Sequence, residues 1–215
     1  MQAITDNLDV FWSGFVQTLA LVALAGAMSL AAGVVLASCS ISPSPLLRGF
    51  SAAYVGIMRN IPAAAHLFFT IFILPLLGFR ASFFALATIG ITAYFAAYYS
   101  DAVRTGINAI GPGQLEAARA IGLRKRQILR LIVLPQGMRN SVPPLINTTI
   151  ALVKATAIAG VFGVTELFGA MLQLINTNDS AVIALMLFTG LLYALITIPA
   201  GLAAAAVERK VVFTS

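Results

Sequence analysis

Long apolar segments separated by short polar ones dominate the chain. The first covers residues 11–36 without a charged residue and is followed by the Ser/Pro-rich stretch SCSISPSP. Further apolar segments cover 50–77, 82–103 and 182–207. Each is long enough to cross the hydrocarbon core as a helix, which takes about 20 residues. The pattern predicts an all-α integral membrane protein.

Two segments depart from a simple straight span. The segment 50–77 is interrupted by the sequence RNIP at residues 59–62, so we expect a kink near one end. The segment 142–174 is too long for one straight span and contains Pro143, Pro144 and Lys154, which predicts a broken span. With these two there are five spans. A single domain over residues 1–215 is expected, because no polar linker divides the chain.

Composition and charge placement support a membrane location. Hydrophobic residues make up 60% of the chain and charged residues 9%, whereas soluble domains average about 25% charged. A net charge of +6 is compatible with binding to nucleic acid, but the basic residues cluster between apolar segments, as in membrane proteins. One side would carry Arg48, the seven basic residues from Arg104 to Arg139, Arg209 and Lys210, and the other Arg80 with Asp6, Asp9 and Asp179. The positive-inside rule therefore places the N-terminus outside and the C-terminus inside.

The most basic polar segment, residues 111–140, is predicted to fold as two short helices on the cytoplasmic side. Good helix formers run from Gln114 to Ile121, and Gly122 suits the left-handed position after a helix end. A second helix follows and is expected to end near Pro135. The pattern fits two interpretations, which are compatible: a segment lying on anionic headgroups, and a helix docking into a groove of a partner protein.

Several polar residues fall within or beside the apolar segments, where they must face protein or water. Arg59 is either a snorkelling anchor or the ion-pair partner of Asp101, and Asp101 can also pair with Arg104 one turn away. His66, one turn beyond Pro62, is either a packing residue or a contact of a translocated solute.

The remaining candidates lie in the later spans. Lys154 and Thr156 fall in the expected break of the fourth span, where they either bind freed carbonyl groups or line a substrate path. Glu166 is interpreted as an outer-gate acid or an interface residue. The tyrosines and phenylalanine of residues 94–99, Tyr98 among them, form a membrane-interface girdle or a gate.

A family resemblance narrows these alternatives. The stretch EAARAIGLRKRQILRLIVLP meets every fixed position of the pattern E-A-A, three residues, G, nine residues, I-x-L-P. In this respect the chain resembles the membrane subunits of bacterial ABC importers. Arg59-Asn60-Ile61-Pro62 resembles the R-G-T-P motif of the polar amino-acid uptake branch, SDAVRTGINAI its A-E-x-x-R-x-G-I, and LVKATAIAGVFGVTEL its L-x-K-x-T-S-L…E-L. The resemblance covers about residues 50–175 through motifs. Three positions depart from it: Asp101 replaces a glutamate, Ala157 a serine and His66 a glutamine.

The resemblance implies an amino-acid permease in the bacterial cytoplasmic membrane, with glutamate favoured and glutamine or another polar amino acid next. Its partners would be a second permease subunit, two ATP-binding subunits and an extracytoplasmic binding protein, with no nucleic acid. The segment 111–140 would contain the coupling helix for the ATPase, whose contact residues are Glu116, Ala117, Ala118, Ile121, Gly122 and Leu123. The path or gate would use Arg59, Asn60, Pro62, His66, Tyr98, Asp101, Lys154, Thr156 and Glu166.

The sequence offers no catalytic machinery of its own. The phosphate-binding pattern G-x-x-x-x-G-K-[S/T] does not occur, and one histidine with one cysteine cannot form the usual metal-binding motifs. We therefore expect a non-enzymatic subunit without metal or cofactor, with ATP and Mg²⁺ bound by the partner ATPase. The alternatives are a gradient-driven secondary transporter, in which inverted repeats are expected, and an intramembrane enzyme or scaffold.

Overall fold

The computed structural model describes residues 2–212, apart from the side chains of Asp179, Val207, Glu208 and residues 210–212. Met1 and residues 213–215 of the predicted domain, and the Lys210 side chain of the charge pattern, lie outside this part. Within residues 2–212, every regular element is a helix. The prediction of an all-α membrane protein is confirmed.

The helices are α1 (Gln2–Thr5), α2 (Leu8–Ser40), α3 (Pro45–Asn60), α4 (Ala63–Leu76), α5 (Phe83–Asn108), α6 (Pro112–Ala120), α7 (Lys125–Val161), α8 (Leu167–Ile175) and α9 (Val182–Val212). Helices α2, α5, α7 and α9 are each long and apolar enough to cross a membrane, by length and composition. Helices α3 and α4 are bent by 100° at the two residues between them and make up a fifth span only when taken together. The kink expected at RNIP is thus present.

Helix α5 is the centre of the helix bundle. It packs along its length against α2 on one side and α7 on the other. Its buried Leu86, Ile91 and Phe95 join Leu21 of α2 and Leu152 of α7 in one apolar core. Because lipid tails are as apolar as these side chains, close packing and hydrogen bonds hold such helices together.

A second, smaller core lies where α8 and α9 meet the start of α2. Phe11 of α2 packs there with Leu167 and Met171 of α8 and with Leu185 of α9. The ring of Phe11 lies edge-on to that of Phe188, with centroids 4.9 Å apart. Helix α8 is therefore held by α2 and α9 in addition to its link to α7.

The fourth span differs from the prediction. Instead of a second short helix that ends near Pro135, α7 is continuous over 37 residues, and the break expected within 142–174 lies after the end of α7, at residues 162–166. Helix α7 is bulged rather than ended before Pro135, because the Leu134 N–H bonds to the Leu129 carbonyl five residues back. Pro143 and Pro144 lie inside the helix. At 1.5 Å per residue α7 is about 55 Å long, so its basic start extends beyond a hydrocarbon core of about 30 Å.

The break in this part of the chain comes later, between α7 and α8. Gly163, with φ of +92°, follows the last turn of α7, and the Val164 N–H donates to the Ala159 carbonyl at 3.2 Å. A glycine reaches this left-handed conformation without the steric cost that a side chain adds. Lys154 and Thr156 consequently lie in an unbroken helix, not in a helix break.

Candidate functional site

The short helix α6 is a projection of the chain between two long helices, α5 and α7. It starts at Pro112, a residue suited to the first helical position, and three residues separate it from the end of α5. The side chains of Glu116 and Ala117 are exposed, and Ile121 is 79% exposed. Ala118, expected on the same face, is only 3% exposed and packs against the rest of the chain. Its position suits anchoring α6 rather than contacting a partner.

Two tight turns fix α6 to the start of α7. Gly122 has φ of +81°; its N–H donates to the Arg119 carbonyl and the Leu123 N–H to the Ala118 carbonyl, both at 3.0 Å. This pair of bonds is the Schellman arrangement, in which a left-handed residue ends a helix. The Arg124 N–H then donates to the side-chain oxygen of Gln127 at 2.8 Å, at the start of α7. The predicted conformation of Gly122 is confirmed.

A charged cluster joins α3 to the cytoplasmic end of α5. Arg59 forms an ion pair with Asp101, and Arg104 Nη1 lies 3.7 Å from the second oxygen of the same carboxylate. Both of the anticipated pairings of Asp101 therefore occur. The Arg59 and Asp101 side chains are 50% and 28% exposed, so water reaches the pair.

From this cluster, a row of polar side chains continues along α5 towards α4. The Arg59 guanidinium lies 5.6 Å from the centre of the Tyr98 ring, and the hydroxyl groups of Tyr98 and Tyr94 are 2.9 Å apart. The rings of Tyr94 and His66 follow, with centroids 6.0 Å apart. Within the described chain, His66 Nε2 is buried without a hydrogen-bond partner. Tyr94 and Tyr98, one turn apart on α5, thus contact one residue from each side of the α3–α4 bend. Tyr98 contacts Arg59 of α3, and Tyr94 contacts His66 of α4.

The other two residues of the RNIP motif shape the bend itself. The Asn60 side chain donates to the Gly56 carbonyl at 2.7 Å, one turn back in α3. Pro62 precedes the first residue of α4 with an extended ψ of 137°. Asn60 thus lies at the end of α3, and Pro62 precedes the start of α4. Arg59 reaches the row on α5 from α3, and His66 reaches it from α4.

Thr156 and Glu166 are both fully buried and lie apart from this row. The Thr156 hydroxyl donates to the Val153 carbonyl of its own helix at 2.8 Å. Glu166 begins α8: one carboxylate oxygen accepts the Gly169 N–H at 2.9 Å, and the other accepts the hydroxyls of Thr18, at 3.2 Å, and Tyr193. Glu166 thereby ties α2, α8 and α9 together.

Sequence reasoning missed Thr18 and Tyr193, because neither differs locally from other polar residues of apolar helices. They lie 148 and 27 positions from Glu166. Lys154, also predicted to line the path, is exposed and lies beside residues of α8 and α9. In the described part of the chain, no three His, Cys, Asp or Glu residues are grouped so as to hold a metal ion.

Comparison with known proteins defines the class to which this arrangement belongs. Residues 29–213 match the family described as "Binding-protein-dependent transport system inner membrane component". The chain belongs to this family, and it is a multi-pass protein of the plasma membrane.

Individual relatives narrow the class to permease subunits of amino-acid ABC importers. The chain is 34% identical to the probable glutamine ABC transporter permease protein GlnM of Bacillus subtilis, over 95% of this chain and 94% of that protein. It is 33% identical to the glutamate transport system permease protein GluC of Corynebacterium efficiens, over 94% and 92% of the two chains. A crystal structure of an amino acid ABC transporter with histidines matches it with a TM-score of 0.90 and 25% identity, over 96% of both chains. The chain is therefore a transporter component of this kind.

Proposed function

We propose that the chain forms half of the translocation path of an ATP-driven importer of glutamate or glutamine and couples that path to a separate ATPase through α6. The second half is another permease subunit, either a copy or a paralogue. An extracytoplasmic binding protein delivers the amino acid, and two ATPase subunits dock from the cytoplasm. The substrate assignment is supported by the glutamine and glutamate permeases among the relatives.

The geometry of α6 is the observation that carries the coupling proposal. A large apolar side chain such as Ile121, 79% exposed beyond the membrane helices, is suited to burial in a partner's groove. Three residues join α5 to α6, and hydrogen bonds of Gly122, Leu123 and Arg124 hold the turn from α6 to α7, so a displacement of α6 moves α5 and α7 with it. Helix α7 then carries the displacement through the core to Lys154 and the α8 region.

The ion pair of Arg59 and Asp101 is proposed as a cytoplasmic gate. It links α3 to α5 beside the row of Tyr98, Tyr94 and His66. Its exposure makes opening inexpensive, because exposed ion pairs contribute about 0–1 kcal/mol. Asp101 keeps Arg104 as a partner when Arg59 leaves, and Tyr98 keeps the guanidinium close. The unpartnered His66 Nε2 lies deeper in the row and is buried, so it meets a passing amino acid only after the gate opens.

The coupling proposal is tested by Gly122→Ala in the reconstituted importer with its ATPase and binding protein. A Cβ at φ of +81° strains the turn that joins α6 to α7. We expect uptake per ATP hydrolysed to fall about tenfold, because changes along a coupling route alter coupling by about 0.5–2 kcal/mol. Folding should persist, since nothing surrounds Gly122 within 4 Å. Glu116→Ala is expected to act in the same direction.

Gly113→Ala is the matched control. Gly113 lies within α6, has no neighbour within 4 Å of an added Cβ and does not adopt a positive φ. Normal coupling in Gly122→Ala and Glu116→Ala would contradict the assignment of α6. Uptake that follows an ion gradient and ignores ATP would instead favour a secondary transporter.

A further inference from the structure

Helix α3 lies across the helix bundle and not along it. Helix α4 runs beside α5, with the ring of His66 next to that of Tyr94 and the ring of Phe72 next to that of Phe83. It therefore follows the direction in which α5 crosses the membrane. Because α3 is bent by 100° from α4, α3 lies close to the plane of the membrane.

The contacts of α3 place it at the cytoplasmic edge of the hydrocarbon core. The Ser51 hydroxyl donates at 2.8 Å to the carbonyl of Leu36, the last residue of the first apolar segment. Farther along α3, Arg59 pairs with Asp101 near the cytoplasmic end of α5. Helix α3 thus passes from α2 to α5 at the level where the apolar segments end.

The side of α3 that faces away from the bundle is apolar. Its exposed residues recur at intervals of four, three and four positions and form an apolar stripe: Leu46, Phe50, Ala53 and Ile57. The buried residues of α3, Ser51 and Val55, lie on a different side. Arg59 follows Phe50 by nine residues, which at about 100° per residue places it on the opposite side of the helix. The stripe therefore faces away from the gate.

The remaining two sides of α3 differ from each other. Tyr54 points towards the membrane centre, because its hydroxyl donates at 2.8 Å to the carbonyl of Ala93, about two turns before Asp101 in α5. The side roughly opposite Tyr54 carries only small, exposed residues: Gly49, Ala52 and Gly56. An apolar side and a side without large apolar groups, on a helix in the membrane plane, are typical of helices that lie in the interface.

We propose that α3 is a membrane-interface helix, that lipid of the cytoplasmic leaflet covers its apolar stripe, and that this lipid contact holds Arg59 at the gate. The second permease subunit must lie on the path side, where Arg59 meets the row on α5, and the stripe faces the other way. Lipid is therefore the favoured partner. The effect on the gate rests on the proposed function, whereas the position of α3 in the interface does not.

The link from lipid to gate follows from the length of α3. Arg59 lies in its last turn, two residues after Ile57 of the stripe. Interfacial helices bury their apolar side about 5–10 Å into the boundary between headgroups and acyl chains. A stripe held at that depth keeps the Arg59 guanidinium level with Asp101. Because an exposed ion pair contributes little by itself, the burial of the stripe determines where α3 rests.

The test measures where the stripe lies. In a Cys39→Ser background, Ala53→Cys on the stripe and Ala52→Cys on the cytoplasmic side each provide one thiol for a nitroxide label. Both alanines are exposed, so the label fits at either position. In the assembled importer in nanodiscs, we expect the label at position 53 to be relaxed by oxygen, which dissolves in lipid, and not by a water-soluble nickel chelate. The label at position 52 should show the reverse.

Two results would overturn the position of α3. Equal relaxation by the nickel chelate at both positions would place the stripe in water. A label at position 53 that neither reagent reaches in the assembled importer would show that another subunit covers the stripe.

Basal ATP hydrolysis tests the link between the stripe and the gate. Phe50→Ser removes the largest side chain of the stripe and leaves Arg59 and Asp101 unchanged. We expect basal hydrolysis in nanodiscs to rise at least about twofold, the lower end of the range for changes along a coupling route. Ala52→Ser is the matched control and should leave it unchanged. Equal hydrolysis in Phe50→Ser and the wild type would overturn the control of the gate by lipid.

The two measurements separate this inference from the proposed function. The accessibility of the labels does not depend on transport. An importer with the expected accessibilities that takes up no amino acid would contradict the proposed function and leave the position of α3 intact. An importer that transports amino acids with the label at position 53 in water would do the reverse.

Discussion

Two carboxylates of this permease, Asp101 and Glu166, both join helices that are distant in sequence, yet they do so by opposite means. Asp101 is partly exposed and pairs with two arginines, one from its own helix. Glu166 is fully buried and accepts hydrogen bonds from Thr18, Tyr193 and a backbone N–H. Water can replace the partners of the first carboxylate but not those of the second. The contrast suggests that α3 and α5 are built to separate, and that α2, α8 and α9 are built to stay together.

Removing the buried carboxylate is expected to have the largest effect on stability. Glu166→Ala leaves the Tyr193 hydroxyl and the Gly169 N–H without their acceptor, whereas the Thr18 hydroxyl keeps the Gly14 carbonyl at 3.1 Å. Each unsatisfied group costs about 1–3 kcal/mol. We expect the free energy of unfolding to fall by about 3 kcal/mol, seen as a lower thermal midpoint in detergent. Glu116→Ala is the control, because Glu116 is exposed on α6.

Equal thermal midpoints for Glu166→Ala and Glu116→Ala would show that the Glu166 bonds contribute no stability. The contrast between the two carboxylates would then be lost.

The corresponding change at the exposed carboxylate should barely affect stability. Asp101→Asn keeps the size of the side chain and removes its charge, so we expect a loss below about 1 kcal/mol. Basal ATP hydrolysis in the absence of substrate should rise, because the proposed gate no longer closes. Arg104→Gln should do less, since its nitrogen lies 3.7 Å from Asp101.

The exchange of charges sharpens this result. Arg59→Asp combined with Asp101→Arg should recover part of the control that Asp101→Asn loses. Two results would contradict the contrast: basal ATP hydrolysis in the double variant as high as in Asp101→Asn, or a large loss of stability in Asp101→Asn. Either would mean that Asp101, like Glu166, serves to hold helices together.

The fold was predictable wherever local signals determine it. Apolar length predicted α2 and α5 within a few residues, and the motif RNIP predicted the sharp bend between α3 and α4. Gly122 was predicted to be left-handed because a helix must end before the next can begin. The course of α7 was not predictable in this way, because Pro135 is absorbed by a bulged turn instead of ending the helix. Neighbouring helices and bulges relieve the lost bonds of proline in membrane helices.

The candidate site shows the same division. The pairing of Arg59 with Asp101 was one of two interpretations of Arg59, based on the positions of both residues near the cytoplasmic ends of their spans, and it is present. The burial of Ala118 and the role of Glu166 did not follow, since both depend on helices far along the chain. Periodicity places a residue on a face of its helix, but only the packing of the helices determines which neighbour that face meets.

The central claim, that α6 docks into the ATPase, is tested most directly by a cross-link from Ile121. Cys39 is the single cysteine of the chain, so Cys39→Ser with Ile121→Cys provides one defined thiol. In the assembled importer, we expect this thiol to cross-link to the ATPase subunit and to be protected from a soluble maleimide. Leu131→Cys in the same background, 66% exposed on α7, should give no such cross-link. Equal maleimide labelling of Ile121→Cys in the free chain and in the active complex, with no adduct to the ATPase, would contradict the account.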